Sequence, residues 1–239
     1  MARADEPIAD NSFLVEEAYN QESGVVQHIQ TMQLDLKSHD WGYTFTEEWP
    51  APNEEHQVSV TVPVNHTDGK TTLGDLYVHY RRELFHGDHV VVTPRASLWL
   101  RTGQEAAPAS GVQFQACVSV QPDGVLVLHS NVGVSAPLSN GSASDTYVVL
   151  GQSLIWLAQP KLNLLVEAAA TFPTATMSTD VSRELVVSPG LRTAIDFSSG
   201  LQIVPGVAAP LSIDADHHAW ALLFYLSFEH PLQSSRKDG

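Results

Sequence analysis

Residues 90–101, VVVTPRASLWLR, decide the fold that the sequence predicts. Every second position of this stretch is apolar, and these positions are Val90, Val92, Pro94, Ala96, Leu98 and Leu100. The polar residues between them are Thr93, Arg95, Ser97 and Arg101, together with the amphipathic Trp99. A period of two is typical of a β-strand with one apolar and one polar face. A dry sandwich core would not accept two arginines on one face, but a water-filled interior would.

The same alternation recurs through most of the chain and predicts an all-β protein of about twelve strands. Clear examples are residues 58–64, 112–120 and 220–228, where apolar side chains occupy every second position. From the fourth strand onward the connections alternate between short and long, as short periplasmic turns and longer outer loops do in outer-membrane barrels. The hairpin near Ser38 is an exception, because it is short where a long loop is expected. The patterns together predict a closed antiparallel transmembrane β-barrel with both chain ends on the periplasmic side.

The composition favours the same class. Charged residues make up 16% of the chain, against roughly 25% in an average soluble protein, whereas the mean hydropathy of -0.07 is ordinary. No uninterrupted apolar stretch is long enough for a transmembrane helix. A lipid-embedded barrel accounts for these facts, because outward apolar and inward polar residues average to a neutral hydropathy. The net charge of -15 argues against nucleic acid as a partner, since phosphate binding requires basic patches.

The sequence predicts one domain. Residues 24–231 are expected to form the barrel, residues 1–23 a periplasmic N-terminal segment, and residues 232–239 a C-terminal tail. Ala2, Arg3 and Ala4 before an acidic residue resemble the end of a secretory signal peptide. Together with the barrel pattern, this leads us to expect a bacterial, Gram-negative outer-membrane protein.

Neither metal nor cofactor is expected. Cys117 is the single cysteine, so the chain has no intrachain disulfide and no cysteine metal site. Asp214, Asp216, His217 and His218 have suitable donor atoms, but a cluster of this kind is far more often a solvated acidic loop.

Several segments resemble a bacterial outer-membrane family labelled "meta-pathway of phenol degradation". They are residues 72–81 (TLGDLYVHYR), 94–103 (PRASLWLRTG), 184–193 (ELVVSPGLRT) and 200–211 (GLQIVPGVAAPL), and the similarity runs from about residue 41 to residue 229. The resemblance implies a porin-like, transporter-like barrel for hydrophobic or aromatic compounds. Its motifs are structural, so it implies no active site. It also places prolines where Pro94, Pro189 and Pro205 occur, which we expect at strand ends or bulges.

Charged and aromatic residues on the polar strand faces are the candidate lining of a solute path. They are Asp75, Tyr77, His79, Arg81, Arg95, Trp99, Arg101, Glu167 and Arg192. One interpretation is a ladder of charges that selects a permeating solute. The other is that these groups, Asp75 included, pair with Glu167, Glu184 or Arg192 and fill the interior, as small barrels often do. Both remain open at the level of sequence.

Two other classes compete with a channel. A soluble β-sandwich or a lipocalin-like small-molecule binder would turn the apolar rows inward. An outer-membrane lipase would need a serine nucleophile and its histidine close together on one strand face, for which His-x-Ser is the natural spacing. No histidine has a serine two residues later. We therefore expect a monomeric, non-enzymatic outer-membrane barrel, whose partners are outer-membrane lipid and small-molecule solutes that pass by passive transport.

Overall fold

The structure is a computed structural model that describes residues 8, 10–103, 110–138, 146–174, 184–214 and 218–231. Its strands are β1 (Val25–Asp35), β2 (Trp41–Pro50), β3 (His56–Thr67), β4 (Lys70–Leu73), β5 (Leu76–Arg82), β6 (Phe85–His86), β7 (Val90–Leu100), β8 (Gly111–Val120), β9 (Leu126–Pro137), β10 (Tyr147–Gln159), β11 (Leu162–Pro173), β12 (Glu184–Thr193), β13 (Ile195–Asp196), β14 (Gln202–Ala208), β15 (Leu211–Ile213) and β16 (His218–Pro231). Among the described residues there is no helix long and apolar enough to cross a bilayer.

The strands form one closed antiparallel barrel. β1, β2, β3, β5 and β7–β12 pair in sequence, β14 and β15 share the next position, and β16 follows. β1 pairs with β16 along its whole length, from Val25 opposite Pro231 to Asp35 opposite Ala221. The short β4, β6 and β13 only extend the pairing of β3, β7 and β14. The result is a 12-stranded barrel, and the predicted fold class is confirmed.

The apolar rows face outward. Phe114 on β8 is 64% exposed and Trp156 on β10 is 52% exposed, while Thr93 and Ser97 on β7 are buried inside the barrel. Exposed side chains of this size would be unfavourable in water over a whole belt, but they suit contact with acyl chains. The orientation predicted from residues 90–101 is confirmed, and the soluble sandwich is wrong.

Connections at the two barrel ends differ in length. Residues 51–55, 121–125 and 160–161 join strands at the end from which β1 starts, which we call the short-turn end. Residues 101–110, 138–146 and 174–183 join strands at the opposite, long-loop end. The connection between β1 and β2, residues 36–40, is short although it lies at the long-loop end. The predicted alternation therefore holds for most of the barrel, with the exception that the sequence already indicated.

The three prolines in the strands lie where a neighbouring ladder is interrupted. The β5–β7 pairing ends at Arg95, one residue after Pro94. Pro189 lies between the part of β12 that pairs with β15 and the part that pairs with β14. Pro205 lies between the residues of β14 that pair with β13 and those that pair with β12. Since proline cannot donate to a ladder, each is tolerated where no donor is required.

A segment of the N-terminal region fills part of the interior. Residues 8 and 10–24, which we call the plug, start beside β11, reach the middle of the barrel near Glu16 and return to β1 at the short-turn end. Ile8, Phe13, Val15 and Ala18 are buried there. The sequence predicted a periplasmic segment with little structure at residues 1–23, and it did not predict that the described part of this segment enters the lumen.

The plug packs against the apolar part of the lumen. Phe13 and Ile8 join a buried cluster with Ile155, Leu165, Val204, Leu223 and Tyr225 from β10, β11, β14 and β16. The Phe13 and Tyr225 rings lie with their centroids 4.9 Å apart. On the β10–β16 side the lumen is therefore apolar and not hydrated, because inward apolar side chains there meet the apolar face of the plug.

Candidate functional site

Glu167 on β11 holds the plug by its backbone. Its carboxylate accepts hydrogen bonds from the amides of Phe13 (3.1 Å), Leu14 (3.0 Å) and Val15 (3.1 Å). Glu167 is completely buried, and a buried carboxylate is stable only where donors replace its hydration. Consecutive amides of a bent backbone provide such donors. Glu167 thus anchors the bend at the middle of the plug.

Two buried arginines bind the plug's carbonyl groups. Arg192 on β12 donates from Nη1 to the carbonyls of Asp10 and Asn11, each at 2.5 Å. Arg81 on β5 donates from Nη2 to the carbonyls of Glu17 (2.5 Å) and Tyr19 (2.9 Å). A guanidinium has several donors in a rigid fork and no acceptor, so it can satisfy carbonyls that no strand reaches.

One ion pair crosses from the plug to the opposite wall. Oε1 of Glu16 lies 2.5 Å from Nη1 of Arg95 on β7, and Oε2 lies 3.8 Å from Nη1 of Arg81. Burial disfavours the charged carboxylate, but Arg95 and Arg81 outweigh this effect and hold the pKa of Glu16 below its ordinary value. The Glu16 carboxylate is therefore ionised at neutral pH and ties the plug to β7.

A cavity of about 350 Å³ lies between the plug and the wall formed by β1, β2, β3, β5 and β7. Threonine hydroxyls line the wall in pairs, with Thr31 and Thr44 2.5 Å apart and Thr46 and Thr61 2.7 Å apart. Further lining residues are Tyr77, His79 and Arg95 from the wall and Phe13, Leu14 and Glu16 from the plug. The cavity extends toward the long-loop end, since Tyr77 and Thr44 lie on that side of Arg95 in the strand register. We call it the lumen cavity.

The recess on the other side of the plug is acidic. Glu17, Glu22, Glu54, Glu55, Glu83 and Glu229 line a space of about 370 Å³ at the short-turn end. Burial raises the pKa of Glu17 to about 8, and the opposing charges of Arg81 and Arg192 do not compensate. The two sides of the plug therefore differ in character, with hydroxyls and a guanidinium on one side and carboxyl groups on the other.

The structure brings part of the predicted lining together. Tyr77, His79 and Arg95 line the lumen cavity, and Arg81 lies directly behind it. The side chain of Trp99 points inward and covers Gly111. Asp75 and Arg101 lie outside the cavity. Asp75 accepts the amides of Thr102 (3.1 Å) and Gly103 (3.0 Å), and Arg101 is exposed just after β7.

The structure does not show the side-chain pairs on which the interpretation of a filled interior depended. Glu167 and Arg192 do fill the lumen, yet they bind plug backbone instead of the arginines and histidine on β5 and β7. Glu184 is exposed at the start of β12. Sequence reasoning missed Glu16 as the partner of Arg95. The available signal was an acidic pair at residues 16 and 17 in a chain with three inward arginines that required counter-charges.

Two serine–histidine hydrogen bonds cross strands inside the barrel. His129 Nδ1 lies 2.7 Å from Ser119 Oγ, and His79 Nδ1 lies 2.8 Å from Ser97 Oγ. The same-strand spacing used for the sequence could not detect such pairs. Nε2 of His79 contacts Thr61, and the His129 ring meets the edge of Tyr19, so within the described chain neither ring is oriented by a carboxylate. Both histidines are buried, and the arrangement gives no support to hydrolysis.

The remaining predicted features cannot be placed. In the part of the chain that the structure describes, no group of three or more histidine, cysteine or acidic side chains is arranged to hold a metal ion. Asp216 and His217, the predicted signal-peptide remnant at residues 2–4 and the C-terminal tail at 232–239 lie outside the described residues.

Comparisons with known proteins identify the fold. No family model matches the chain, and no curated protein matches it by sequence. Solved structures do match: the "COG4313 outer membrane channel from Pseudomonas putida F1" has a TM-score of 0.67 at 10% identity, over 93% of this chain and 99% of that one. A "NanC porin" matches at 0.66 and 9% identity, over 84% and 98%. A "KdgM porin" matches at 0.61 and 8% identity, over 87% and 99%. The chain thus shares its fold with barrels of outer-membrane porins and channels.

Proposed function

We propose that the protein is a passive channel of the bacterial outer membrane for small solutes, with the plug as its movable closure. The observation that carries this proposal is the lumen cavity, which lies between residues 11–16 of the plug and five neighbouring strands of the wall. On the far side of the plug, Phe13 packs in a buried apolar cluster. Across the cavity the plug is attached by hydrogen bonds and by Glu16, which pairs with Arg95 and Arg81. Contacts of this kind break and reform far more easily than a packed wall opens. Solute would pass along β1–β7 once the plug shifts.

Small aromatic or hydrophobic compounds are the proposed solutes. The resemblance in residues 72–81, 94–103, 184–193 and 200–211 to the "meta-pathway of phenol degradation" family supports this class. The lumen cavity adds a physical reason, because Phe13, Leu14, Ile29 and Tyr225 give one side of it apolar and aromatic surface. A flat apolar solute with one or two polar groups would contact this surface and the threonine hydroxyls together.

A reversible lock on the plug tests the proposal. The hydroxyls of Ser12 in the plug and Ser153 on β10 are 3.0 Å apart, close enough for Ser12→Cys and Ser153→Cys to form a disulfide. Cys117 is replaced by serine in this variant and in its control, Cys117→Ser alone. We expect liposomes with the oxidised lock to show little flux of phenol-sized solutes, and reduction to restore the flux of the control.

Two results would contradict the proposal. Flux that is equal in the oxidised and reduced lock would mean that the plug does not close the channel. Flux no higher than that of protein-free liposomes, in the reduced lock and the control alike, would mean that the barrel is not a channel for these solutes.

A further inference from the structure

We propose that Arg95 in the lumen cavity binds the carboxylate of a small aromatic acid, and that this anion displaces Glu16 and so weakens the attachment of the plug. The inference rests on the proposed channel function and adds to it a solute class and a trigger for opening. It concerns the face of the plug that an incoming solute meets from the long-loop end.

Arg95 has binding capacity that the protein leaves unused. Its side chain is only 12% exposed, and Nη1 is bound to Glu16. Nε of Arg95 is buried and has no hydrogen-bond partner among the described residues, and the same is true of Nε and Nη1 of Arg81 directly beside it. Buried donors normally have partners, and an exception calls for an explanation. A carboxylate is the group that fits, because its two oxygens match two donors of one guanidinium.

The rest of the cavity suits an aromatic body. The space of about 350 Å³ falls within the range of roughly 300–1,000 Å³ that is common for small-molecule sites. Tyr77 and Phe13 provide ring surfaces on opposite sides, and the Tyr77 ring stacks on His79 with centroids 6.0 Å apart. Thr46 and Thr61 offer hydroxyls for a phenolic or carboxyl oxygen. A benzoate-sized anion therefore finds both its charged and its apolar partners here.

Binding at Arg95 competes directly with the plug. Glu16 is the plug carboxylate that contacts Arg95, and its side chain is 28% exposed, so it can turn into water when another carboxylate takes its place. A solute carboxylate on the free Nε edge of Arg95 shares the single guanidinium charge with Glu16 and repels the Glu16 carboxylate, which is bound at Nη1. The anchors at Glu167 and Arg192 do not touch Arg95, so release of the plug begins at Glu16 and not at these anchors. The expected consequence is that the part of the plug around residues 16–19 loosens from the wall.

Cys117 provides a native reporter of that loosening. It is the only cysteine in the chain, it is completely buried, and it packs against Ala18 of the plug and Val91 of β7. The measurement is the rate at which a water-soluble maleimide modifies Cys117 in the full chain, purified in detergent. The rate in sodium benzoate is compared with the rate in sodium chloride of the same ionic strength, and with the rate in benzyl alcohol added to that chloride solution. We expect benzoate to accelerate modification several-fold, and we expect no acceleration by benzyl alcohol or chloride.

Variants assign the effect to Arg95. Arg95→Gln should abolish the acceleration by benzoate, and Arg95→Lys, which keeps the charge but loses the fork, should reduce it. Arg82→Gln is the matched control, because Arg82 is the adjacent arginine on the exposed face of β5 and should behave like wild type. Each variant is compared with itself, with and without benzoate, so that changes in thiol reactivity cancel. Correct folding of each variant is verified by its faster migration before boiling.

The outcomes separate this inference from the proposed function. Equal acceleration by benzoate and benzyl alcohol, equal acceleration by benzoate and chloride, or an unchanged benzoate effect in Arg95→Gln would overturn the carboxylate site. If Glu16→Gln accelerates modification while benzoate does not, the mobile plug stands and the inference falls. The proposed channel itself is judged by the flux of the disulfide-locked protein, which does not depend on any carboxylate.

Discussion

Single residues inside this barrel bind the backbone of the plug more than they bind one another. Arg81, Arg192 and Glu167 satisfy carbonyls and amides of a segment that has no strand partner. The role of these side chains cannot be predicted from the sequence of their own strands, because their hydrogen-bond partners lie more than 60 residues away in sequence. The period of two predicted that these side chains face the lumen, but it carries no information on what they meet there.

Replacing Glu167 should loosen the plug. In Glu167→Ala three amides lose a charged acceptor, and hydrogen bonds to charged groups contribute roughly 1.5–3 kcal/mol each. We expect modification of Cys117 to become at least about tenfold faster, since about 1.4 kcal/mol corresponds to a factor of ten. Glu184→Ala, at an exposed strand end, is the control. A wild-type rate in Glu167→Ala would show that the bend is held by packing alone.

Glu17 should make the seating of the plug dependent on pH. Burial raises its pKa to about 8 from an ordinary value of 4.5, with Arg81 and Arg192 lowering it and Asp10 and Glu48 raising it. The seated plug therefore holds a proton that the released plug loses, so this stabilisation is complete below pH 4.5 and disappears as the pH rises through 8. Glu16 acts in the opposite direction, but its lowered pKa places that change at acidic pH.

The matched variant for this prediction is Glu17→Gln, which imitates the protonated side chain. The ratio of Cys117 modification rates, wild type over Glu17→Gln, removes the intrinsic pH dependence of the thiol. We expect this ratio to rise between pH 6 and pH 9, across the pKa of about 8. A ratio that stays constant over this range would show that Glu17 is ionised in the seated plug.

At the level of elements, β12 and β14 are shaped to receive the plug. A Cβ atom at Gly206 would lie 2.5 Å from Cζ of Phe13, and one at Gly190 would lie 2.9 Å from Cε2 of the same ring. Both glycines face inward on neighbouring strands. In the register Gly190 lies opposite Ala208, and Gly206 lies opposite Arg192. The absence of side chains at these two positions creates the seat for the Phe13 ring.

Gly206→Ala should therefore unseat Phe13 without opening the barrel. The added methyl group meets an aromatic ring that is itself packed on Tyr225, so the ring has to leave. We expect higher solute flux in liposomes than for wild type. Gly124→Ala, at a hairpin where an added Cβ meets nothing within 4 Å, is the control. The seat would be disproved if both variants conducted like wild type.

The strands differ in how well their sequences predicted their surroundings. β7 and β8 are apolar mainly on one face, with Val91 as the inward exception on β7, and their orientation was predicted correctly. β10 and β16 have apolar residues at successive positions, as in Leu154–Ile155–Trp156 and Leu222–Leu223–Phe224. Apolar residues at successive positions lie on both faces of a strand, and this indicates that both faces are buried. Ile155 and Leu223 are the inward members and meet the plug, and this signal could have indicated an occupied lumen.

The plug itself could not be found from local pattern. Residues 10–24 have no strand or helix period, and their bends are stabilised by β5, β9, β11 and β12 together. The bends of this segment therefore depend on side chains of the barrel wall. Barrel class and strand orientation could be predicted because the alternation of apolar and polar residues repeats along the chain. The plug binds the lumen once, through residues distant in sequence, and leaves no repeated pattern.

For the whole molecule, the outward apolar belt has a direct experimental consequence. Phe114, Trp156, Trp220 and Phe224 are each about half exposed or more. We expect the purified protein to require detergent and to migrate faster before boiling than after it, because a closed barrel resists unfolding at room temperature. A compact monomer that remains in solution without detergent would contradict the membrane orientation.

The central claim is that the plug moves to open the lumen, and the most direct measurement is the current through single proteins in a planar bilayer. The protein for this measurement carries Ser12→Cys, Ser153→Cys and Cys117→Ser. The account predicts no conductance steps while the disulfide is intact, steps after a reductant is added, and their loss on reoxidation. Steady conductance through the oxidised protein, unchanged by reductant, would contradict it.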